Sequence, residues 1–342
     1  MRFAVIGLDH RHIYDLTREL LAAGATCAGF WPQTTDERVR EGFRERFPDI
    51  PEVADRDALL DDPSVQALVS AAVPADRAAI AVEAMPRGKD VMVDKPGIVS
   101  REGLEAVERT VRETGRIFSI CFTERFLTPS TGMALELARG GAIGRVIQTV
   151  GLGPHRLNPA LRPDWFFDTA YYGGILVDIA SHQIDQFLVF TGSTDGEIVA
   201  STAENRATPA SPRFEDFGEI LLRSGMASGY IRVDWFTPDG LPTWGDGRLF
   251  IMGTEGTIEL RKYVDIDGRP GKDHLFLVDR TGTRHIPCEG QPLTYFRAFM
   301  DDVRNRTETA MPQAHVFTVS RLAIEAQEQA GTRGAAPAGA SA

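Results

Sequence analysis

Residues 1–122 repeat one pattern, a short apolar run followed by a stretch with apolar positions at helical spacing. Predicted strands are Phe3-Ala4-Val5-Ile6, Ala25 to Phe30, Ala67-Leu68-Val69, Val91-Met92-Val93 and Ile117 to Phe122. Between them the spacing predicts helices over 12–23 (Ile13, Leu16, Leu20, Leu21), over Thr35 to Phe47 up to Pro48, over Ala75 to Met85 behind Pro74, and from Ser100 onward. Strands separated by whole helices cannot pair as hairpins. They pair in parallel through right-handed crossovers, which predicts an α/β, doubly wound, Rossmann-type nucleotide-binding sheet. Past residue 123 the rhythm changes. A helix over Thr131 to Arg139 leads to an irregular stretch, 151–172, rich in Pro, Trp and Tyr. A single helix from Ile175 to Phe190 is predicted next. Strand-like runs at 197–204, 216–223, 227–236, 248–252, 256–261 and 274–279 follow, separated by turn residues, and helices near 294–305 and 315–330 finish the chain. This predicts an α+β domain with a large, mainly antiparallel open sheet. The expected division is 1–122, 123–330 and a flexible tail at 331–342.

Composition excludes more than it selects. The net charge is −11, from 48 acidic and 37 basic residues, with no basic run or tail. Nucleic acid and anionic membrane are therefore not expected partners. Three scattered cysteines, Cys27, Cys121 and Cys288, suit neither a disulfide framework nor a zinc ribbon. The start, MRFAVIGLDH, lacks a signal-peptide pattern, and no apolar run is long enough to span a bilayer. A cytoplasmic location is expected.

The chemistry-bearing motifs begin at Gly7-Leu8-Asp9-His10-Arg11-His12, between the first strand and the first helix. A dinucleotide fingerprint belongs there, G-x-G-x-x-G, but only Gly7 is present. Asp9 stands at the second glycine position, where a carboxylate would repel a pyrophosphate; His10, Arg11 and His12 offer compensating donors. A modified dinucleotide loop, a turn with Asp9 capping the helix, and metal binding by the Asp-His-x-His cluster are the alternatives; no metal is the expectation. The second strand ends without an acid; Gln33, Thr34 and Thr35 are neutral donors for a ribose or its phosphate. Asp94-Lys95-Pro96 ends the fourth predicted strand, at the sheet edge where such folds bind ligands. A Lys there can donate to a reacting oxygen, although a plain surface turn reads equally well. Gly173-Gly174 precedes Asp178 and His182, four residues apart and hence on one face if the helix is continuous. An acid and an imidazole side by side can hold a hydroxyl and take its proton.

Taken together, these motifs resemble the glucose–fructose oxidoreductase / inositol dehydrogenase (Gfo/Idh/MocA) family. Asp94-Lys95-Pro96 is similar to its Glu-Lys-Pro. Gly173-Gly174-x-x-x-Asp178-x-x-x-His182-x-x-Asp185 is similar to its substrate helix. Gly144-Arg145-Val146, Arg162-Pro163-Asp164-Trp165 and Gly253-Thr254-Glu255-Gly256 follow in the family's order. The resemblance implies NAD- or NADP-linked chemistry on the hydroxyl or carbonyl of a sugar, polyol or related compound. It also implies a homo-oligomer, dimer or tetramer, formed through the C-terminal sheet. By position, Lys95 would polarise the reacting oxygen, His182 act as acid/base and Asp178 orient the substrate or the histidine. Cofactor contacts would come from Gly7, Asp9, His10, Arg11, His12, Gln33, Thr34, Val73, Pro74, Asp94 and Lys95. Substrate contacts would add Arg125, His155, Arg156, Asn158 and Trp165 to the catalytic set. Val73-Pro74-Ala75-Asp76-Arg77 departs from the family's Thr-Pro-x-x-x-His, with Arg77 near the usual histidine. The same frame also accommodates a non-redox net reaction through a transient ketone, or a sensor without catalysis.

Overall fold

The apolar runs Phe3-Ala4-Val5-Ile6, Ala67-Leu68-Val69, Val91-Met92-Val93 and Ile117 to Phe122 are buried on both faces, as parallel strands covered by helices must be. A computed structural model describes residues 1–334. In chain order the first elements are β1 (Arg2–Leu8), α1 (His12–Ala22), β2 (Thr26–Phe30), α2 (Glu37–Arg46), α3 (Arg56–Leu60), β3 (Ala67–Ala71), α4 (Pro74–Ala84), β4 (Asp90–Asp94), α5 (Arg101–Thr114) and β5 (Phe118–Cys121). The strands form one parallel sheet in the order β2-β1-β3-β4-β5. The order reverses between β1 and β3, so a crevice opens at the carboxyl ends of these strands. The helix signals read locally: Ser100 caps α5 through Gly103 N, Gly115 ends it at φ 64°, and Asp36 caps α2.

The remaining elements are α6 (Thr123–Phe126), α7 (Pro129–Arg139), β6 (Val146–Pro154), α8 (Thr169–Tyr172), α9 (Ile175–Asp178), α10 (Ser181–Thr191), β7 (Glu197–Glu204), β8 (Phe217–Ser224), β9 (Ala227–Asp234), β10 (Arg248–Gly253), β11 (Thr257–Arg261), β12 (His274–Asp279), β13 (Gly282–Pro287), α11 (Tyr295–Asn305) and α12 (Gln313–Gly334). Eight strands form a second sheet, β13-β12-β11-β10-β6-β9-β8-β7, antiparallel except where β6 runs parallel to β9.

Three expectations need correction. The central strand β6 occupies the start of the stretch read as irregular. Its Val-Gly-Leu-Gly-Pro sequence carries two glycines because α10 lies directly on it: a Cβ on Gly151 would sit 2.6 Å from Gln183 Cγ, and one on Gly153 2.9 Å from Gln183 Nε2. The helix read over Ile175 to Phe190 is broken into α9 and α10 at Ile179-Ala180. The tail expected from residue 331 is helical through Gly334, while 335–342 lie outside the described residues.

The two sheets are not independent. Gln313, at the start of α12, both donates to Phe118 O and accepts from Phe118 N, and the Tyr295 and Ser119 hydroxyls bond at 2.8 Å. The last helices thus clamp the edge of the first sheet, and one apolar core runs through both domains. No helix among the described residues is long and apolar enough to cross a membrane.

Candidate active site

At the end of β1, Gly7 turns with φ 91°, and a Cβ there would lie 2.5 Å from Ala72 Cβ, so only glycine fits. Asp9 does not cap α1, whose N-cap is Arg11 without a side-chain bond. Its Oδ1 instead accepts from Thr35 N (2.5 Å), Thr35 Oγ1 (2.7 Å) and Thr34 Oγ1 (3.1 Å), and its Oδ2 from Val73 N (3.3 Å). The carboxylate is spent on tying the loops after β1, β2 and β3 together. The repulsion expected from the sequence is met by four donors, and the His10-Arg11-His12 side chains line the crevice at the start of α1.

Asp94 is fully buried at the end of β4. It meets His12 Nδ1 at 2.9 Å, His10 Nδ1 at 3.4 Å and Arg77 Nη2 at 3.4 Å. Burial would raise its pKa, but His12 and Arg77 hold it well below the usual carboxylate range. His10, His12 and Asp94 present possible ligand atoms within 4.8 Å of one another, with the Arg77 guanidinium already against the carboxylate. Arg77 has 1 % of its surface exposed. It donates to Ala72 O (2.8 Å), Asp94 O (2.8 Å), Lys95 O (2.7 Å) and Pro96 O (3.0 Å), fixing the turn that carries Lys95. The Lys95-Pro96 peptide is cis.

Lys95 Nζ reaches across the domain junction to Asp178 Oδ1 (2.9 Å) and Asp178 O (3.3 Å). Asp178 is thus the partner of Lys95, whereas the sequence suggested an Asp178–His182 face on one helix. The break between α9 and α10 places the two separately, and both line the crevice. Burial opposes the Asp178 charge and Lys95 overrides it, holding the carboxyl below its ordinary value. The double glycine before it meets protein: a Cβ on Gly173 would strike Val99 and one on Gly174 would strike Gln327 of α12. His182 is buried with Nδ1 unpartnered among the described residues, and burial pushes its imidazole down to about 3.

His155 Nδ1 donates to Gly153 O (3.0 Å), and the ring lies between Trp235 and Trp244 at centroid distances of 5.2 and 4.6 Å. Trp165, Arg156 and Asn158 also line the crevice; Trp165 Nε1 and Trp235 Nε1 are buried without partners among the described residues. Arg162 lies over Phe166 and Trp235. Three expected contacts fall elsewhere. Arg125 makes a bidentate pair with Asp185 (2.8 and 2.7 Å), away from the crevice. Gln33 is exposed and lines neither adjoining cavity, and Thr34 acts through Asp9. Sequence reasoning missed Glu124, Trp235, Trp244 and Asp36, and had Arg162 only as part of the Arg162-Pro163-Asp164-Trp165 motif. Glu124 had one available signal, its place directly after β5 at the ligand-binding edge of the sheet.

The inner cavity is about 310 Å³. It shares Asp36, Pro163 and Trp165 with a second of about 940 Å³ that includes Thr35, Val73 and Arg213. Together they form a groove from the β2 loop to Lys95 and His182. The obligatory Gly7, the Asp9 carboxylate tied back by its four donors and the donors at the start of α1 fit an elongated phosphate-bearing cofactor in that groove.

His182 has a stability consequence. Its folded pKa lies below the ordinary 6.5, so between pH 6.5 and about 3 the unfolded chain takes up a proton that the native state does not. Its contribution to stability is intact above pH 6.5 and falls by up to about 1.4 kcal/mol per pH unit below it. Urea denaturation from pH 7 downward should show a shallower acid decline in His182→Asn than in wild type.

Residues 1–122 match the model of the oxidoreductase family with an NAD-binding Rossmann fold, and residues 133–259 match the Gfo/Idh/MocA C-terminal domain. The chain belongs to the Gfo/Idh/MocA family. This Gfo/Idh/MocA protein is 46 % identical, with TM-score 0.93, to the crystal structure of a protein from Erwinia carotovora atroseptica SCRI1043 whose oxidoreductase activity is itself an assignment; the match covers 96 % of this chain and 98 % of that one. It is 28 % identical over 268 residues to scyllo-inositol 2-dehydrogenase (NAD(+)) of Bacillus subtilis (strain 168), covering 75 % of this chain and 73 % of the relative. A levoglucosan dehydrogenase complex with NADH and levoglucosan shares the fold at 19 % identity and TM-score 0.76, each chain covered to 97 %. The Gfo/Idh/MocA protein is therefore an NAD(P)-dependent oxidoreductase, with NAD or NADP as its cofactor.

Proposed function

We propose that the protein oxidises a secondary hydroxyl, or reduces the matching ketone, on a sugar or polyol ring. The observation that carries this reading is the Lys95–Asp178 pair set beside a neutral, buried His182 at the inner end of the groove. Asp178 occupies part of the Lys95 ammonium and leaves a donor for the reacting oxygen. His182, neutral at pH 7, receives the hydroxyl proton in oxidation and returns it in reduction. The nicotinamide, when bound, accepts or supplies the hydride. Trp165, Trp235, Trp244 and His155 offer flat faces, and the indoles add N–H groups, suited to a hydroxylated ring.

The test is a panel of scyllo-inositol, myo-inositol and levoglucosan with NAD and NADP, read by nicotinamide absorbance. His182→Asn should lower kcat about 10²- to 10⁴-fold with dinucleotide affinity unchanged. Substrate consumption without a change in bulk absorbance would replace this reading by a net non-redox reaction.

Oligomerisation through the C-terminal sheet belongs to the same proposal. Phe250, Met252 and Val278 stand exposed on one face, opposite buried Leu249, Ile251 and Leu277. Sedimentation should give a dimer or tetramer that Phe250→Glu/Met252→Glu weakens; a monomer at all micromolar concentrations would reject it.

A further inference from the structure

The Glu124 side chain has 2 % of its surface exposed and that of Lys262 1 %. Lys262 Nζ meets Glu124 Oε2 at 2.6 Å and Gln186 Oε1 at 2.8 Å, and Gln183 Nε2 donates to the same Glu124 oxygen at 3.1 Å. Among the described residues, the donors to Glu124 all fall on one oxygen. The other, Oε1, is buried with no partner among the described residues, although Glu124 lines the inner cavity with His182 and His155. A buried carboxylate oxygen left without a donor is costly, so an oxygen held in this way marks the place of a donor that arrives from outside the protein. Its backing is built for the purpose. Gly151 and Gly153 make room for Gln183, and Lys262 sits just beyond β11. Burial would raise the Glu124 pKa, yet Lys262 holds it down to about 2, so this oxygen only accepts at neutral pH. The unpartnered Trp165 Nε1 and Trp235 Nε1 add donors around the same cavity.

We propose that Glu124 Oε1 accepts a hydrogen bond from a non-reacting substrate hydroxyl and thereby selects a polyhydroxylated substrate over its deoxy analogue. This rests on the polyol reading above and adds the residue that recognises a second hydroxyl. A site built to bond a hydroxyl rejects the analogue lacking it, because the buried acceptor is then left bare.

The experiment measures calorimetric binding, with NADH present, and turnover for scyllo-inositol, myo-inositol, levoglucosan and their mono-deoxy derivatives. Wild type, Glu124→Gln and the charge-balanced Glu124→Leu/Lys262→Met are compared. The double variant keeps the protein foldable, since replacing both partners of a buried pair by apolar residues is far milder than removing one. In wild type, one deoxy position should bind about 10- to 100-fold more weakly than its parent. In both variants the parent should weaken by a similar factor and discrimination at that position alone should collapse, with NADH affinity unchanged. A purely structural ion pair would leave the deoxy pattern intact, and that result would overturn the proposal, as would the failure of all three parent compounds to bind wild type. Binding that follows the expected deoxy pattern but yields no nicotinamide turnover would defeat the redox reading and leave the Glu124 contact standing.

Discussion

A Lys95→Met variant will lose about 10²- to 10⁴-fold in turnover, because the reacting oxygen loses its charged donor. It will also lose stability. Lys95 is the cation beside the buried Asp178 carboxylate, and its Nζ accounts for the side-chain bond to Asp178 Oδ1. Removing one member of a buried pair costs about 3–5 kcal/mol, whereas removing both costs far less. Lys95→Met/Asp178→Asn should therefore recover most of the unfolding free energy in urea while remaining inactive. The two readouts separate the structural role of the pair from its chemical role. A Lys95→Met protein that keeps more than about a tenth of wild-type turnover would rule out the assigned role for the ammonium, since even the low end of general acid–base effects exceeds that.

The second large effect is expected at a residue outside the predicted catalytic set. Arg77→Met strands four backbone carbonyls at Ala72, Asp94, Lys95 and Pro96 and leaves the buried Asp94 without its guanidinium. Unsatisfied buried acceptors and an uncompensated charge put the loss above about 3 kcal/mol. Arg77→Lys should rescue little, because one ammonium on a flexible stem cannot serve acceptors that a planar fork reaches together. Loosening the turn also frees Lys95, so kcat should fall even at temperatures where the variant stays folded. Denaturation of Arg77→Met within about 0.5 kcal/mol of wild type would contradict this account, since surface-type substitutions usually stay within about that range. Arg77 and Lys95 share the Asp94-Lys95-Pro96 turn, so their effects should not add.

The legible parts of the chain were those governed by neighbours in sequence. Alternating apolar runs, Pro74 at a helix start, and Ser100 and Gly115 at the ends of α5 are local signals, and the parallel sheet followed from them. Lys95, Asp178 and His182 were legible as residue types in a recognisable order, and they do converge on one groove. The misreadings share one physical origin. Strand β6 is glycine-rich because Gln183, about thirty residues later, occupies the space of its side chains. The apolar run from Ile175 breaks at Ile179-Ala180, so a helical four-residue spacing did not pair Asp178 with His182. Arg125 and Glu124 are adjacent on a single helical turn, and which of them faces the crevice depends on Asp185 and Lys262, far away in the chain.

By itself, then, the sequence determined the fold class, the domain rhythm and the chemical vocabulary of the site, because periodicity, caps and turn residues act over a few positions. The tertiary structure decided which charge answers which: Asp9 with the β2 loop, Lys95 with Asp178, Arg77 with Asp94 and Glu124 with Lys262. Buried charges must find partners through space, and the fold alone determines which residues come within reach.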